Sequence, residues 1–333
     1  PKHLYEKYEQ DLLKDYLDRG VPLAAAQDQL RAHLREKLED MGQDYETTGL
    51  PAARTRSACA RISLLARHML QAGVESNLEK SQKLWALIKN SPEQRRVVDR
   101  VLQCVREKIS AFIFVDGKSG RGKTTVAEFL AYYLRAHDFV VQTAASTGQA
   151  ALNHPLGCTA HSLFGLPLDD GPHLSSNVSP NSDRAKLLRE TDLIQWDEWP
   201  NSKCQCWDAA VNLMEELMGE DAGRGGGKVW VCYGDFRQIP PVQRHASRAE
   251  VRNLSVQQSA TWAHFEVFRL LTPQRDGEDK AFSRWIDDVG DGKADASHVL
   301  NGEKGYIPLH YGTKLTDVTT AIHKTFPNLR DPH

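Results

Sequence analysis

The sequence predicts an α/β fold with a parallel sheet, preceded by a helical segment. From about residue 90 onward, apolar stretches of strand length alternate with stretches of helical apolar spacing, which is typical of βαβ units. The first strand–helix junction is rich in glycine, and two later apolar stretches end in acidic or polar residues. We therefore expect a helical segment over residues 1–88 and an α/β domain over residues 89–333.

The composition is typical of a water-soluble globular protein. Of its 333 residues, 40% are hydrophobic and 26% are charged, and this length allows one large domain or two ordinary ones. There is no run of about eighteen apolar residues, so we expect no membrane span. The net charge of −2 gives no global signal for nucleic acid, so DNA binding would depend on a local groove.

The six cysteines show no metal-binding spacing. Since no secretory signal accompanies them, we expect reduced thiols in an intracellular protein. The chain begins with Pro1 rather than methionine, so we also expect it to be a piece of a longer product.

The individual elements follow in chain order. Apolar residues near helical spacing, interrupted twice by glycine and proline, predict several helices in residues 1–88. Ser91 and Pro92 predict a helix that runs to about residue 108, because proline is favoured in the first helical turn. Short apolar runs predict strands at residues 111–116, 139–145, 192–197 and 228–233.

A glycine-rich loop follows the first predicted strand. Residues 117–124 read Gly-Lys-Ser-Gly-Arg-Gly-Lys-Thr and fit the pattern G-x-x-x-x-G-K-[ST]. The glycines let backbone N–H groups and the next helix N-terminus face a polyphosphate. Lys123 adds a charge for the β- and γ-phosphates, and the Thr124 hydroxyl suits a magnesium ion. We assign nucleotide binding to Gly117, Gly120, Gly122, Lys123, Thr124 and Thr125; the alternative is a structural glycine turn.

The strand predicted at residues 192–197 ends in two acids, Asp197 and Glu198. In a phosphate-loop ATPase, the first carboxylate supports the magnesium ion through its water shell, and the second orients or deprotonates the attacking water. Both roles require the carboxylates at the carboxyl end of a strand beside the loop. The alternative is an ordinary solvated strand end.

The last predicted strand leads into Gly-Asp-Phe-Arg-Gln-Ile-Pro-Pro-Val at residues 234–242. A neutral glutamine at this tip, Gln238, can hydrogen-bond the γ-phosphate or the attacking water. The contact would be lost on hydrolysis, which makes it a usable switch. Without the other motifs, a strand followed by a proline-stiffened loop is the alternative.

Together these motifs resemble the first motor domain of the Pif-type DNA helicases of superfamily one, and most closely the version encoded by Helitron transposons. Residues 91–94 resemble the adenine-reading Q motif, and residues 117–124 match the Walker A loop. Two DNA-contacting stretches of the family are matched at residues 145–151 and 157–162. The resemblance extends over residues 91–292 and implies a RecA-like P-loop NTPase fold. The sequence departs from the family pattern, without losing a catalytic group, at residues 118, 119, 121, 199–201 and 270–274.

The resemblance also implies roles for individual residues. Gln94 would read the adenine, and Arg275 would place a guanidinium on the γ-phosphate, where such a charge is worth about 10³–10⁵ in rate. Lys123, Glu198, Gln238 and Arg275 would then form the catalytic set, with Thr124 and Asp197 at the metal. Resemblance alone implies DNA contacts for Ser146, Thr147, Thr159, His161 and Ser162.

The implied function is ATP-dependent, 5′-to-3′ unwinding of DNA in repair, recombination or telomere maintenance. It would use ATP and Mg²⁺ as cofactors, with single-stranded DNA and DNA duplex junctions as partners. We expect a nuclear location, with a mitochondrial one as the alternative; the oligomeric state is not indicated.

No second motor domain, second arginine finger or later DNA-binding motif follows within the sequence, so we expect the first motor domain only. A nucleotide-binding transposon remnant without motor activity is one alternative function. A phosphate-loop kinase is another, but it does not explain residues 234–238 or Arg275.

Overall fold

A computed structural model gives the architecture of most of the chain from residue 74 onward. The structure describes residues 74–167, 174–238, 240–243, 247–274, 279–294, 298–300 and 303–306, with residues 320, 322 and 324. Nearer the N-terminus it describes residues 5, 8–13, 17, 22–27, 30, 31, 34 and 48–51. The rest of the predicted helical segment lies outside these ranges. The chain divides into two compact units, residues 1–272 and 273–333.

A six-stranded parallel sheet forms the centre of the first unit. Its strands run in the order β3-β2-β4-β5-β1-β6, and every pairing between neighbours is parallel. The strands are β1 (Ala111–Gly117), β2 (Val141–Ala145), β3 (Cys158–Thr159), β4 (Leu193–Asp197), β5 (Val229–Gly234) and β6 (Phe265–Leu270). This arrangement confirms the predicted α/β fold with a parallel sheet.

Helices connect the strands and cover the sheet. From residue 74 onward they are α1 (Val74–Ile88), α2 (Pro92–Glu107), α3 (Lys123–Arg135), α4 (Gly148–Leu152), α5 (Ala160–Phe164), α6 (Asp183–Glu190), α7 (Cys204–Met218) and α8 (Arg248–Asn253). Helix α2 begins where the sequence predicts, because the Ser91 hydroxyl caps the Gln94 amide and Pro92 occupies the first turn.

The two faces of the sheet bury different cores. Along β1, Phe112 and Phe114 face an aromatic core, whereas Ile113 and Val115 face an aliphatic core that includes residues of α2 and α3. This alternation follows from the two-residue period of a strand. Because β1 is covered on both faces, its first five residues are all apolar, which is why the strand could be predicted.

Two strands of this six-stranded sheet, β3 and β6, are not among those predicted from the sequence. Strand β3 has only two residues, too short to produce a periodic signal. Strand β6 lies at the sheet edge with mixed burial, so its sequence Phe-Glu-Val-Phe-Arg-Leu lacks a continuous apolar run. The four predicted strands are correct, with bounds that differ by one or two residues.

The second unit contains one helix and one hairpin in its described part. Helix α9 (Lys280–Gly290) is capped by Asp279, whose carboxylate accepts a hydrogen bond from the Phe282 amide at 2.9 Å. Strands β7 (His298–Leu300) and β8 (Glu303–Tyr306) pair antiparallel. In the described part of the chain, no helix combines the length and apolar character needed to cross a membrane.

The Gly234 position allows a prediction about stability. A Cβ added there would lie 2.1 Å from Pro200 Cδ, so Gly234→Ala should destabilise the fold by about 1–3 kcal/mol, as overpacking does. Urea denaturation measures this change. The control is Gly148→Ala, where an added Cβ meets nothing within 4 Å and stability should change by no more than about 0.5 kcal/mol. Equal midpoints for the two variants would contradict the prediction.

Candidate active site

The glycine-rich loop connects β1 to α3. Gly120 and Gly122 adopt left-handed φ values of 76° and 85°, which favour glycine. Gly117 lies against β6, where an added Cβ would be 3.1 Å from the carbonyl oxygen of Leu270. The loop therefore depends on glycine both for its turns and for its contact with the neighbouring strand.

Lys123 is buried at the start of α3. Its ammonium donates to the carbonyl oxygens of Gly117 and Lys118, the latter at 3.2 Å. Burial lowers the pKa of Lys123, while four surrounding carboxylates oppose this shift; they belong to Glu198, Asp235, Asp197 and Asp116. The structure thus brings Lys123 together with both acids that the sequence analysis singled out.

The next two residues of α3 are Thr124 and Thr125. Thr124 is exposed and Thr125 is half-buried, and both lie in the first helical turn. The first-turn amides of a helix lack intrahelical partners, so this end of α3 is suited to an anion. An exposed Thr124 hydroxyl is available to a metal ion at that position.

Asp197 ends β4 and is buried. One carboxylate oxygen, Oδ1, accepts a hydrogen bond from the Glu198 amide at 2.9 Å. The other, Oδ2, lies 2.7 Å from Nε2 of His154. His154 is a single histidine between α4 and β3 and belongs to no sequence motif, so it could not be predicted as a site residue.

Glu198 follows with a left-handed φ of 49°, which turns the chain sharply after β4. The pKa of its carboxyl is raised, first by burial and then by the charges of Asp197 and Asp235, while Lys123 lowers it. A base with a raised pKa accepts a proton more readily, which suits the role predicted for Glu198.

The bulky residue after the acids has a structural explanation. Trp199 is fully buried, and its ring stacks on Phe265 with centroids 4.7 Å apart. It also meets Trp207 edge-on at 4.9 Å. The aromatic core beneath the turn therefore accommodates the large side chain at this position.

The tip of β5 presents Asp235 and Gln238. Asp235 is buried, and its Oδ1 accepts hydrogen bonds from the amide of Arg237 at 3.0 Å and from its Nε at 2.6 Å. The backbone N–H of the exposed Gln238 donates to the Asp235 carbonyl at 3.1 Å. Its side chain lines a cavity of about 520 Å³ that Asp235 and Pro200 also line. Asp235 and Asp116 are site residues to which the sequence analysis gave no role.

Gln94 is buried on α2, and its Nε2 donates to the carbonyl oxygen of Arg121 in the loop at 3.1 Å. Its Oε1 is buried, and no described residue offers it a hydrogen bond. An unpaired acceptor beside the phosphate loop fits the amino group of an adenine, since that group is a donor. Arg275, the predicted arginine finger, lies outside the described residues.

The five residues predicted to contact DNA lie in two neighbouring segments. Strands β2 and β3, which precede these segments, pair in parallel. The Thr147 and Thr159 hydroxyls cap α4 and α5, accepting amide hydrogen bonds at 3.2 Å each. Ser162 is exposed, and His161 is half-buried with Nε2 3.9 Å from the Cys206 sulfur. Ser146 instead bonds inward, donating to the Glu198 carbonyl at 2.6 Å.

The donors present are compatible with Mg²⁺. Among the described residues, no group of three or more His, Cys, Asp or Glu side chains could hold a metal by itself. Magnesium usually takes one or two carboxylates and completes its shell with water and substrate phosphates. The oxygen donors of Thr124 and Asp197 meet that requirement.

Comparison with known proteins identifies the family. Residues 89–299 match the family model described as PIF1-like helicase. The chain belongs to the PIF1-like helicase family. This confirms the Pif-type resemblance, whereas the closer likeness to the Helitron version stays a prediction.

Two curated relatives share part of the chain. It is 33% identical over 178 residues to the ATP-dependent DNA helicase Pif1 of Psychrobacter sp. (strain PRwf-1), covering 50% of this chain and 26% of the relative. It is 27% identical over 143 residues to the ATP-dependent DNA helicase PIF6 of Trypanosoma brucei brucei (strain 927/4 GUTat10.1), covering 42% of this chain and 18% of the relative. The chain thus spans about a quarter or less of these relatives.

Two solved structures show the same fold. Pif1 helicase from Candida albicans superposes with a TM-score of 0.50 at 27% identity, covering 61% of this chain and 44% of that chain. The second structure is described as the structural basis for DNA unwinding at forked dsDNA by two coordinating Pif1 helicases. It superposes with a TM-score of 0.51 at 24% identity, covering 62% of this chain and 49% of that chain. These likenesses confirm the RecA-like P-loop fold.

The unpaired oxygen of Gln94 allows a prediction about base selectivity. Gln94→Ala should weaken ATP binding by about tenfold, the value of one hydrogen bond, and should leave GTP binding nearly unchanged, because guanine presents a carbonyl at the corresponding position. Competition against a fluorescent nucleotide measures both affinities. The control is Gln103→Ala, an exposed glutamine on the same helix. Equal losses for ATP and GTP would argue against adenine reading.

Proposed function

We propose that this chain carries the nucleotide site of an ATP-dependent DNA helicase, which hydrolyses ATP to ADP and phosphate to unwind DNA. The observation that carries the proposal is the placement of the buried Lys123 among the carboxylates of Asp197, Glu198 and Asp235 at the carboxyl end of the sheet. Both curated relatives are ATP-dependent DNA helicases, which supports the same activity here.

In this proposal the loop and the start of α3 bind the triphosphate. Backbone amides at the helix N-terminus face the phosphates, and Lys123 places its charge beside the β- and γ-phosphate oxygens. Thr124 and Asp197 would hold the magnesium ion. When bound, magnesium neutralises charge that develops on the phosphate oxygens. Gln94 selects adenine.

Glu198 then acts on the water that attacks the γ-phosphate. It accepts a proton as the new bond to phosphorus forms and the bond to the bridging oxygen of ADP breaks. Gln238 contacts the γ-phosphate or this water, and it loses that contact on hydrolysis. Arg275 supplies a further positive charge to the γ-phosphate.

The DNA partner is single-stranded DNA and its junctions with duplex. The segments that contain Thr147, Thr159, His161 and Ser162 would contact the DNA backbone, with movement from 5′ to 3′. Repair, recombination or telomere maintenance would be the setting, in the nucleus or in mitochondria. Since the chain spans 26% of the Psychrobacter relative, unwinding is proposed for the whole protein, and nucleotide binding with slow hydrolysis for this chain.

The first experiment measures ATP binding and hydrolysis with and without single-stranded DNA. We expect binding and slow hydrolysis that DNA accelerates, and Lys123→Ala should abolish both, because it removes the buried charge beside the phosphates. Lys83→Ala, which changes an exposed lysine of α1, is the control. If Lys123→Ala binds ATP with the affinity of the wild type, the assignment of nucleotide binding to this loop is wrong.

Glu198→Gln separates binding from catalysis. The amide keeps the size of the side chain but cannot accept the proton, so hydrolysis should fall by about 10²–10⁴-fold while ATP affinity stays within a few-fold. Single-turnover hydrolysis and equilibrium binding measure the two quantities. An exposed acid on α7, Glu216, gives the control Glu216→Gln. A variant that hydrolyses ATP at the wild-type rate would exclude Glu198 as the base.

A further inference from the structure

We propose that His154 is a positioning residue for the metal site: its imidazole N–H holds the Asp197 carboxylate in the orientation that supports Mg²⁺ at the bound nucleotide. This inference rests on the proposed function, because it takes Asp197 as the metal-supporting carboxylate. No sequence motif assigns a role to His154.

The contact between the two side chains is short and buried. His154 Nε2 lies 2.7 Å from Asp197 Oδ2, and the exposed fractions of the two side chains are 1% and 11%. The second oxygen of Asp197 accepts the Glu198 amide at 2.9 Å. With one hydrogen bond on each oxygen, the carboxylate cannot rotate without breaking one of them. The lone pairs that remain therefore have fixed directions.

The hydrogen-bond pattern of the imidazole indicates which nitrogen carries the hydrogen. A carboxylate only accepts hydrogen bonds, so Nε2 must donate to Asp197. Nδ1 is buried and has no hydrogen-bond partner among the residues that the structure describes. Within the described part of the chain, the bond to Asp197 is thus the only hydrogen bond of the imidazole, which favours a role for the ring beyond filling space.

The backbone around His154 is held rigidly. Its amide donates to the Ala151 carbonyl at 3.2 Å, and its carbonyl accepts the Gly157 amide at 3.1 Å. The buried Arg135 donates to the Pro155 carbonyl at 2.9 Å and to the Val141 carbonyl of β2 at 2.8 Å. These hydrogen bonds fix the turn that carries the imidazole, and a positioning residue requires such a fixed backbone.

Gly157 closes this turn in a way that admits no side chain. An added Cβ would lie 2.3 Å from the Ala151 carbonyl oxygen and 3.1 Å from His154 Cβ. The packing of the turn therefore sets the position of the His154 backbone and Cβ. Mutation of a residue that hydrogen-bonds a metal ligand usually lowers metal affinity or activity by about 10–100-fold.

The test compares replacements that differ in whether they can donate to Asp197. His154→Gln can place an amide N–H near the position of Nε2, whereas the shorter His154→Asn cannot, and His154→Phe keeps a planar ring without a donor. Affinity for a fluorescent ATP analogue is measured in Mg²⁺ and again in excess EDTA. The Mg²⁺ concentration that gives half-maximal hydrolysis is the second readout.

We expect His154→Phe and His154→Asn to weaken nucleotide binding in Mg²⁺, and to raise the Mg²⁺ requirement, by about 10–100-fold. The nucleotide affinity of both variants in EDTA should stay unchanged. For His154→Gln, the nucleotide affinity in Mg²⁺ and the Mg²⁺ requirement should lie within a few-fold of the wild-type values. If the phenylalanine variant does not fold, the comparison of Asn with Gln decides. The control is His137→Phe, an exposed histidine just after α3, which should behave as the wild type.

Two results would overturn the inference. One is an equal loss of affinity in Mg²⁺ and in EDTA, which would indicate a purely structural residue. The other is unchanged Mg²⁺ dependence in both His154→Phe and His154→Asn. A wild-type chain that binds no nucleotide, or binds it equally with and without Mg²⁺, would instead overturn the proposed function and the inference with it.

Discussion

The parallel pairing of β1 with β5 on one side and β6 on the other determines the position of the whole candidate site. Because parallel strands end at the same edge, the loop after β1, the acids after β4 and the polar tip of β5 come together. Gly117, the last residue of β1, pairs with Leu270, the last residue of β6. The loop is thus held against the sheet at the point where it begins to turn.

The electrostatics of the site follow from this geometry. One buried ammonium, Lys123, lies among four carboxylates, and the Arg237 guanidinium pairs with two of them, Asp235 and Asp116. The sheet edge therefore carries charges of both signs, and a divalent cation bound there would add positive charge beside a triphosphate. Burial acts on both charge types, lowering the pKa of Lys123 and raising that of Glu198. These are the shifts expected where charged groups are desolvated at a functional site.

The aromatic core beneath the sheet supports the sharp turn that carries Glu198. A non-glycine residue at a positive φ stores strain of roughly 1–3 kcal/mol, which the surrounding structure must offset. The burial of Trp199 against Phe265 and Trp207 provides that support. Pro200 lies so close to Gly234 that a side chain there has no room. The contact between Pro200 and Gly234 therefore holds the turn after Glu198 against the tip of β5.

The sequence by itself determined the features that depend on neighbours in the chain: the glycine loop, the capped start of α2, the apolar strands and the acids that end β4. Each is set by local backbone preferences or by continuous burial, which leave a pattern in consecutive residues. Only the tertiary structure decided that β6 completes the sheet and that His154 contacts Asp197, 43 positions further along the chain. That contact depends on the pairing of β2 with β4, which sets Ala145 opposite Asp197. Strand order is fixed by the packing of distant segments, and no short stretch of sequence encodes it.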